Sequence, residues 1–246
     1  MSRESRRVEL ASAYILHHRP FRDTSRILDV ISRDHGRITL FARGVRGARS
    51  TSASLLQPFV PLLLSWSGRG EAAQLTRVES AVALSATRLP SRVLMGCFYL
   101  NELLLKLTTR HDPNARIYDV YDATLTALRT GAPLEPSLRL FERDLLEAAG
   151  FGLQLQCEAR GGRAISAVAY YHFRPALGLV EADRAAPNVV RGASILALAG
   201  RGPETADALD DARRLLRIAL DEALEGRALA TRAVARAVLR GKTVRQ

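Results

Sequence analysis

Between residues 8 and 80 the chain reads with the period of a β-strand, and from Pro90 onward with that of a helix. That switch constrains the fold more than any other feature, because a period-two segment and a period-3.6 segment bury different sets of side chains. Val8–His18, Thr24–Ser32, Gly36–Phe41, Phe59–Trp66 and Ala72–Glu79 are rich in β-branched and aromatic residues or alternate apolar with polar. Turn signals separate them: Arg19-Pro20, Asp34-His35-Gly36, an arginine-glycine loop after Ala42, and Ser67-Gly68-Arg69-Gly70. Five short strands in about 75 residues match a five-stranded OB-fold β-barrel. An SH3-like barrel would look similar at this level.

Ser91 is placed to cap a helix running to about Thr109, with Val93, Leu94, Cys97, Phe98, Leu100, Leu104 and Leu107 on one face. Asp112-Pro113-Asn114 stops it and starts a second, Ala115 to Arg129, which Gly131-Ala132-Pro133 breaks. A third helix, Pro136 to Ala149, ends at Gly150. Residues 151–190 are less regular, with a weak hairpin from Ala167–Phe173 and Leu177–Glu181. Helices resume near Gly192 and then over Thr205–Leu224 and Ala228–Leu239. The expected class is α+β multidomain: a barrel over 1–80, then a mainly helical domain over 81–246 with an irregular β subdomain at about 151–190.

The chain has 36 basic and 25 acidic residues, net +11, and all basic residues but Lys106 and Lys242 are arginine. Residues 1–50 hold eleven arginines and five acids; residues 227–246 hold six basic residues and no acid. Such placement favours a polyanionic partner over a long or divided surface. Cys97 and Cys157 have no CxxC partner, and Met1 to Arg7 has no apolar signal core. The apolar stretch Val93–Leu107 is too short and too polar to span a bilayer. The expected compartment is the reducing cytoplasm.

Bond-making chemistry has no positive support. The five histidines fall in no metal spacing, and no Walker loop, dinucleotide fingerprint or nucleophile elbow occurs. The expectation is a protein that is not an enzyme and needs no cofactor or metal. Binding chemistry is better supported. Arg43, Arg46 and Arg49 stand with Gly44 and Gly47 in seven residues. Guanidinium supplies charge and forked donors, and glycine lets backbone approach a phosphate chain. Arg19, Arg22 and Arg26 follow on the first hairpin and Arg33 and Arg37 on the second; Trp66 and Phe41 are candidates for stacking on bases. The third helix sets Leu138, Phe141, Leu145 and Leu146 beside Arg139 and Arg143, a pattern suited either to an acidic peptide or to ordinary packing.

Several segments together resemble the bacterial recombination mediator family RecO, of the gammaproteobacterial type. They are Ala13-Tyr14-Ile15-Leu16-His17-His18-Arg19-Pro20 with Asp23-Thr24-Ser25; Gly36-Arg37-Ile38 with Ala42-Arg43-Gly44; Leu56-Gln57-Pro58-Phe59; Tyr99-Leu100-Asn101-Glu102-Leu103-Leu104; Leu138-Arg139-Leu140-Phe141-Glu142 with Leu145-Leu146 and Gly150; and Cys157. The resemblance covers nearly the whole chain. It implies an N-terminal OB-fold, a helical domain and a small irregular subdomain. It implies binding of single- and double-stranded DNA and annealing of strands coated with single-stranded DNA-binding protein (SSB). It also implies action with RecR to load RecA, in the cytoplasm at the nucleoid. The DNA-binding residues expected are Arg43, Arg46, Arg49, Arg19, Arg22, Arg37 and Trp66. The resemblance places a contact to the acidic SSB tail on Arg139, to which helix geometry adds Arg143 and Leu138. Many members hold four-cysteine zinc in the middle subdomain. Here Arg160 stands where the CxxC partner of Cys157 would, so no zinc is expected. The rival readings are an OB-fold protein acting on structured RNA and a nuclease.

Overall fold

A computed structural model describes residues 7–45, 54–68, 73–175 and 177–243. The chain divides into two compact units, one of residues 1–131 and 229–246 and one of residues 132–228.

In the first unit, β1 (Arg7–Phe21), β2 (Ser25–Ser32), β3 (Gly36–Ala42), β4 (Leu62–Ser67) and β5 (Ala73–Ser80) close a barrel in the order β1-β2-β3-β5-β4. All pairings are antiparallel except β3 with β5, which meet in parallel over Leu40↔Ala73 and Phe41↔Gln74. This is the OB-type arrangement expected from the sequence. The barrel core is filled by alternate residues of each strand, including Ala13, Ile15, Leu28, Val30, Ile38, Leu40, Leu62 and Leu64. Each such large aliphatic side chain contributes about 1.5–3 kcal/mol by leaving water.

A β-bulge at Leu16 breaks the alternation of β1, because pairing jumps from Ile15↔Val30 to His17↔Asp29. Residues 13 to 16 are all buried, and Tyr14 turns outward onto the helices, its hydroxyl donating to Asp122 at 2.5 Å. Burial and that carboxylate both push the Tyr14 phenol well above its ordinary range.

Ser91 does not cap the first helix; it opens a 3-10 turn, Ser91–Val93, with no side-chain cap, ahead of α1 (Leu94–Leu107). α2 (Ala115–Arg129) is capped by Asn114, whose side chain accepts from the Ile117 amide at 3.2 Å. Gly36, with φ +65°, turns β2 into β3 against the backbone of the α1–α2 link: a Cβ there would lie 2.2 Å from the Asp112 carbonyl oxygen. α6 (Ala230–Thr243) returns to this unit and lies against α1.

The second unit contains α3 (Leu134–Ala148), β6 (Tyr170–Arg174), β7 (Gly178–Ala182), β8 (Val190–Arg191), α4 (Gly192–Leu198) and α5 (Ala206–Ala223). Its sheet runs β7-β6-β8. Asp211 is its polar hub: 1% exposed, it accepts from Arg191 Nε at 2.7 Å, from the Ser194 hydroxyl at 2.7 Å and from Arg214. Burial alone would raise this carboxyl, but those donors outweigh it and hold Asp211 below the usual range.

Candidate nucleic-acid interface

The register of the barrel decides which side chains can meet a partner. Leu28, Val30, Leu40 and Ala42 point into the core, so Ile27, Asp29, Thr39 and Phe41 stand on the outer face. The bulge puts His17, Arg19 and Phe21 on that same face. Arg19, Ile27, Phe41 and Gln74 form one row across four strands, and His17, Asp29 and Thr39 the next. Further along, the row of Tyr14, Ile31 and Arg37 is taken up by the helices. The outer face of β1–β3 therefore has a covered half and an open half.

The open half is aromatic and cationic. Phe21 and Phe41 pack edge to face, with centroids 5.5 Å apart at 71°. The Arg22 guanidinium lies 5.3 Å above the Phe21 ring, in a left-handed turn residue with φ 53°. Arg19 and Arg43 are exposed and make no hydrogen bond or ion pair among the described residues. Gly44 takes φ +68° with nothing within 4 Å of where a Cβ would sit, so it serves the turn rather than a close approach. Asp29 sits in the middle of this half and is already engaged: Arg110 lies 3.6 Å from it, His17 3.9 Å, and the Thr39 hydroxyl donates at 3.3 Å.

The structure thus brings Arg19, Arg22 and Arg43 together at one end of the barrel. Arg46 and Arg49 lie outside the described residues. Arg37 belongs elsewhere: its guanidinium donates to the Thr108 carbonyl at 3.2 and 2.9 Å and to the Thr108 hydroxyl at 3.1 Å, tying β3 to the end of α1. Burial and nearby Arg110 both lower its proton affinity. Arg33 is likewise committed, to Asp119 by a fork of 2.8 and 3.0 Å. Trp66 corrects the stacking expectation. It is 5% exposed within the barrel core, its ring edge-on to His35 at 5.0 Å, so no base can reach its face. The aromatic that sequence reasoning missed is Phe21: Arg19-Pro20 read as a turn, but β1 runs on to Phe21, with Arg19 paired to Ile27 and Pro20 to Arg26.

The helical candidates differ from expectation too. Leu138, Phe141, Leu145 and Leu146 are core residues of the second unit, not the floor of an open groove. Arg139 is only 8% exposed and donates to Glu142, itself 1% exposed, at 2.8 Å. Arg143 donates to Asp144 and to the Leu198 carbonyl, both at 2.7 Å.

The middle subdomain does not fit zinc. Cys157 is half-buried and forms a β-bridge with Ala164, and no second cysteine stands near it in sequence. Among the described residues no group of three or more His, Cys, Asp or Glu side chains is placed to hold a metal. The turn is closed instead by Arg163, which donates to the buried Glu158 carboxylate and, at 3.3 Å, to Glu181.

Charge is divided unevenly between the units. The barrel unit, with the C-terminal segment, has 24 basic and 11 acidic residues, net +13; the other has 12 basic and 14 acidic, net −2. The excess cation therefore lies wholly in the unit that bears the open face. A closed five-stranded barrel with an arginine-rimmed aromatic face, continued by helices, defines an OB-type barrel protein. Residues 7–85 match the family model for the recombination protein O N terminal, and residues 92–233 that for the recombination protein O C terminal. The chain is 45% identical over 226 residues to the DNA repair protein RecO of Methylococcus capsulatus, covering 92% of each. It is 42% identical over 213 residues to that of Nitrosococcus oceani, covering 86% of each. Against that of Alkalilimnicola ehrlichii it is 42% identical over 239 residues, 95% of this chain and 93% of the relative. The chain belongs to the RecO family.

Proposed function

We propose that this protein is a DNA repair and recombination mediator that acts by binding rather than by bond chemistry. It holds single- and double-stranded DNA on the open half of the barrel. It anneals complementary strands coated with SSB and, with RecR, promotes loading of RecA. The observation that carries the reading is the family match over residues 7–85 and 92–233; the net +13 of the barrel unit supports that unit as the part that meets the polyanion. Two strands repel until their phosphates are neutralised, so a cationic face lowers that barrier without turnover. Arg19, Arg22 and Arg43 hold backbone beside the Phe21–Phe41 pair, and Arg46 and Arg49 extend the charge along the loop. Bases stack on the two phenylalanines. Arg139 and Arg143 serve the acidic SSB tail, whose carboxylates compete with Glu142 and Asp144 for the guanidinium groups. The role belongs in the cytoplasm, at the nucleoid.

The test is annealing of complementary oligonucleotides, bare and coated with SSB, with and without the SSB tail. The protein accelerates annealing of the coated strands, and tail removal reduces the effect. Changing Arg19, Arg22 and Arg43 to Ala lowers the magnitude of the salt slope of DNA binding by about 2–3, at about 0.7–0.9 per phosphate contact. An unchanged slope would refute the assignment.

A further inference from the structure

Two consecutive residues of α1 grip two different parts of the barrel unit. Asn101, 2% exposed, donates through Nδ2 to the Leu16 carbonyl at 2.7 Å. That carbonyl belongs to the bulged residue of β1, which has no strand partner in the β1–β2 register. Glu102 reaches the other way. Its carboxylate, with the side chain 14% exposed, accepts from the Ala230 amide at 2.7 Å, the Thr231 amide at 2.9 Å and the Thr231 hydroxyl at 2.6 Å. These are the first amides of α6, which have no partner inside the helix, and a carboxylate also suits the positive end of the helix dipole. Burial pushes the Glu102 carboxyl up, but the Thr231 and Ala230 donors and Lys106, 3.9 Å away, together hold it below the usual range. A helix 128 residues away in sequence is thereby fixed to the helix that is fixed to the barrel.

What is fixed there is basic. Arg232, Arg236 and Arg240 recur every four residues along α6, Lys242 follows, and no acid occurs after Glu225. At 1.5 Å per residue, positions 232, 236 and 240 advance about 6 Å each along the helix axis, about one per turn. We propose that α6 is a second contact for the phosphate backbone of nucleic acid, and that Glu102 is the positioning residue that holds it in fixed relation to the barrel face. This rests on the DNA-binding reading given above and adds a second strip to it.

The test uses the full chain, a labelled oligothymidylate and a salt titration. Changing Arg232, Arg236 and Arg240 together to Ala lowers the slope magnitude by about 2–3. Glu102→Ala gives the sharper result. It removes a negative charge, so a purely long-range effect would tighten binding to a polyanion; loss of docking weakens binding and lowers the slope although no arginine is gone. Glu102→Gln, which keeps an acceptor, falls between Glu102→Ala and the parent. Trp66 fluorescence verifies that the barrel is folded, and the arginine triple keeps the test decisive if Glu102→Ala does not fold. An unchanged slope in the triple, or tighter binding by Glu102→Ala, overturns the inference. Failure of the parent chain to bind would instead overturn the DNA-binding reading. Loss in Arg19→Ala/Arg43→Ala with none in the α6 triple would overturn this inference alone.

Discussion

Removing the Asn101 side chain attacks the seam between α1 and the barrel at a buried point. Asn101 accepts from the Tyr121 hydroxyl at 2.5 Å and donates to Leu16 at 2.7 Å. Tyr121 is fully buried and Leu16 is 2% exposed, so neither group meets bulk water when Asn101 becomes Ala. The Leu16 carbonyl loses its Asn101 donor and the Tyr121 hydroxyl its Asn101 acceptor; each such loss costs about 1–3 kcal/mol, which sums to about 2–6 kcal/mol before any cavity is counted. Tyr121→Phe removes the hydroxyl that donates to Asn101. The double variant is therefore less damaged than the two single losses added, with a coupling of about 1–2 kcal/mol. Urea unfolding reads this directly, because Trp66 is the only tryptophan and is buried in the barrel core. A loss below about 1 kcal/mol for Asn101→Ala, or additive singles, would show that water or backbone movement satisfies these groups and that the seam does not depend on them.

Three further outcomes follow from the geometry. Gly36→Ala forces a Cβ to 2.2 Å from a backbone oxygen and destabilises by more than about 2 kcal/mol, whereas Gly44→Ala, with nothing within 4 Å, carries only the left-handed backbone cost of about 1 kcal/mol; equal losses in denaturant titrations would contradict this. The Asp211 carboxyl titrates lower in the folded chain than in the unfolded one. Its stabilisation is thus present above the ordinary aspartate range and is lost as pH falls through the folded value, so the second unit weakens below about pH 4 and Asp211→Asn flattens that acid limb in a pH series of melting curves. Arg139→Ala strips the buried Glu142 carboxylate of its guanidinium and costs about 3–5 kcal/mol, most of it recovered in Arg139→Met/Glu142→Leu; no recovery in the double variant would mean that the pair contributes more than mutual compensation.

The barrel was legible because its strands alternate and turns such as Asp34-His35-Gly36 carry Gly and Asp, although Arg19-Pro20 lies inside β1 and the turn follows it; the helices were legible from caps such as Asn114 and breaks such as Pro133. The Leu16 bulge, the two-residue β3–β5 seam and the strand Val190–Arg191 were not, since each exists only through a partner distant in sequence. The same reason separates the arginines. Arg19 and Arg37 look alike in sequence, but Thr108, 71 residues from Arg37, takes one of them out of play. Trp66 is a different case. Leu62, Leu64 and Trp66 alternate on one face of β4, and that period already placed the indole with the core. In α3, Arg139 and Glu142 stand at i and i+3, a spacing that foretold their ion pair but not that neighbouring elements would close over it.

One extra residue in β1 decides which way the binding end of the strand looks. Were the bulge ironed out with Leu16 kept, so that Leu16 rather than His17 paired with Asp29, side chains beyond it would rotate by half a turn: His17, Arg19 and Phe21 would swing toward the barrel lumen, and Leu16, His18 and Pro20 would face outward. The cationic character of this surface is thus an inheritance of strand phase as much as of amino-acid choice, and a register slip there would silence it without touching a single arginine.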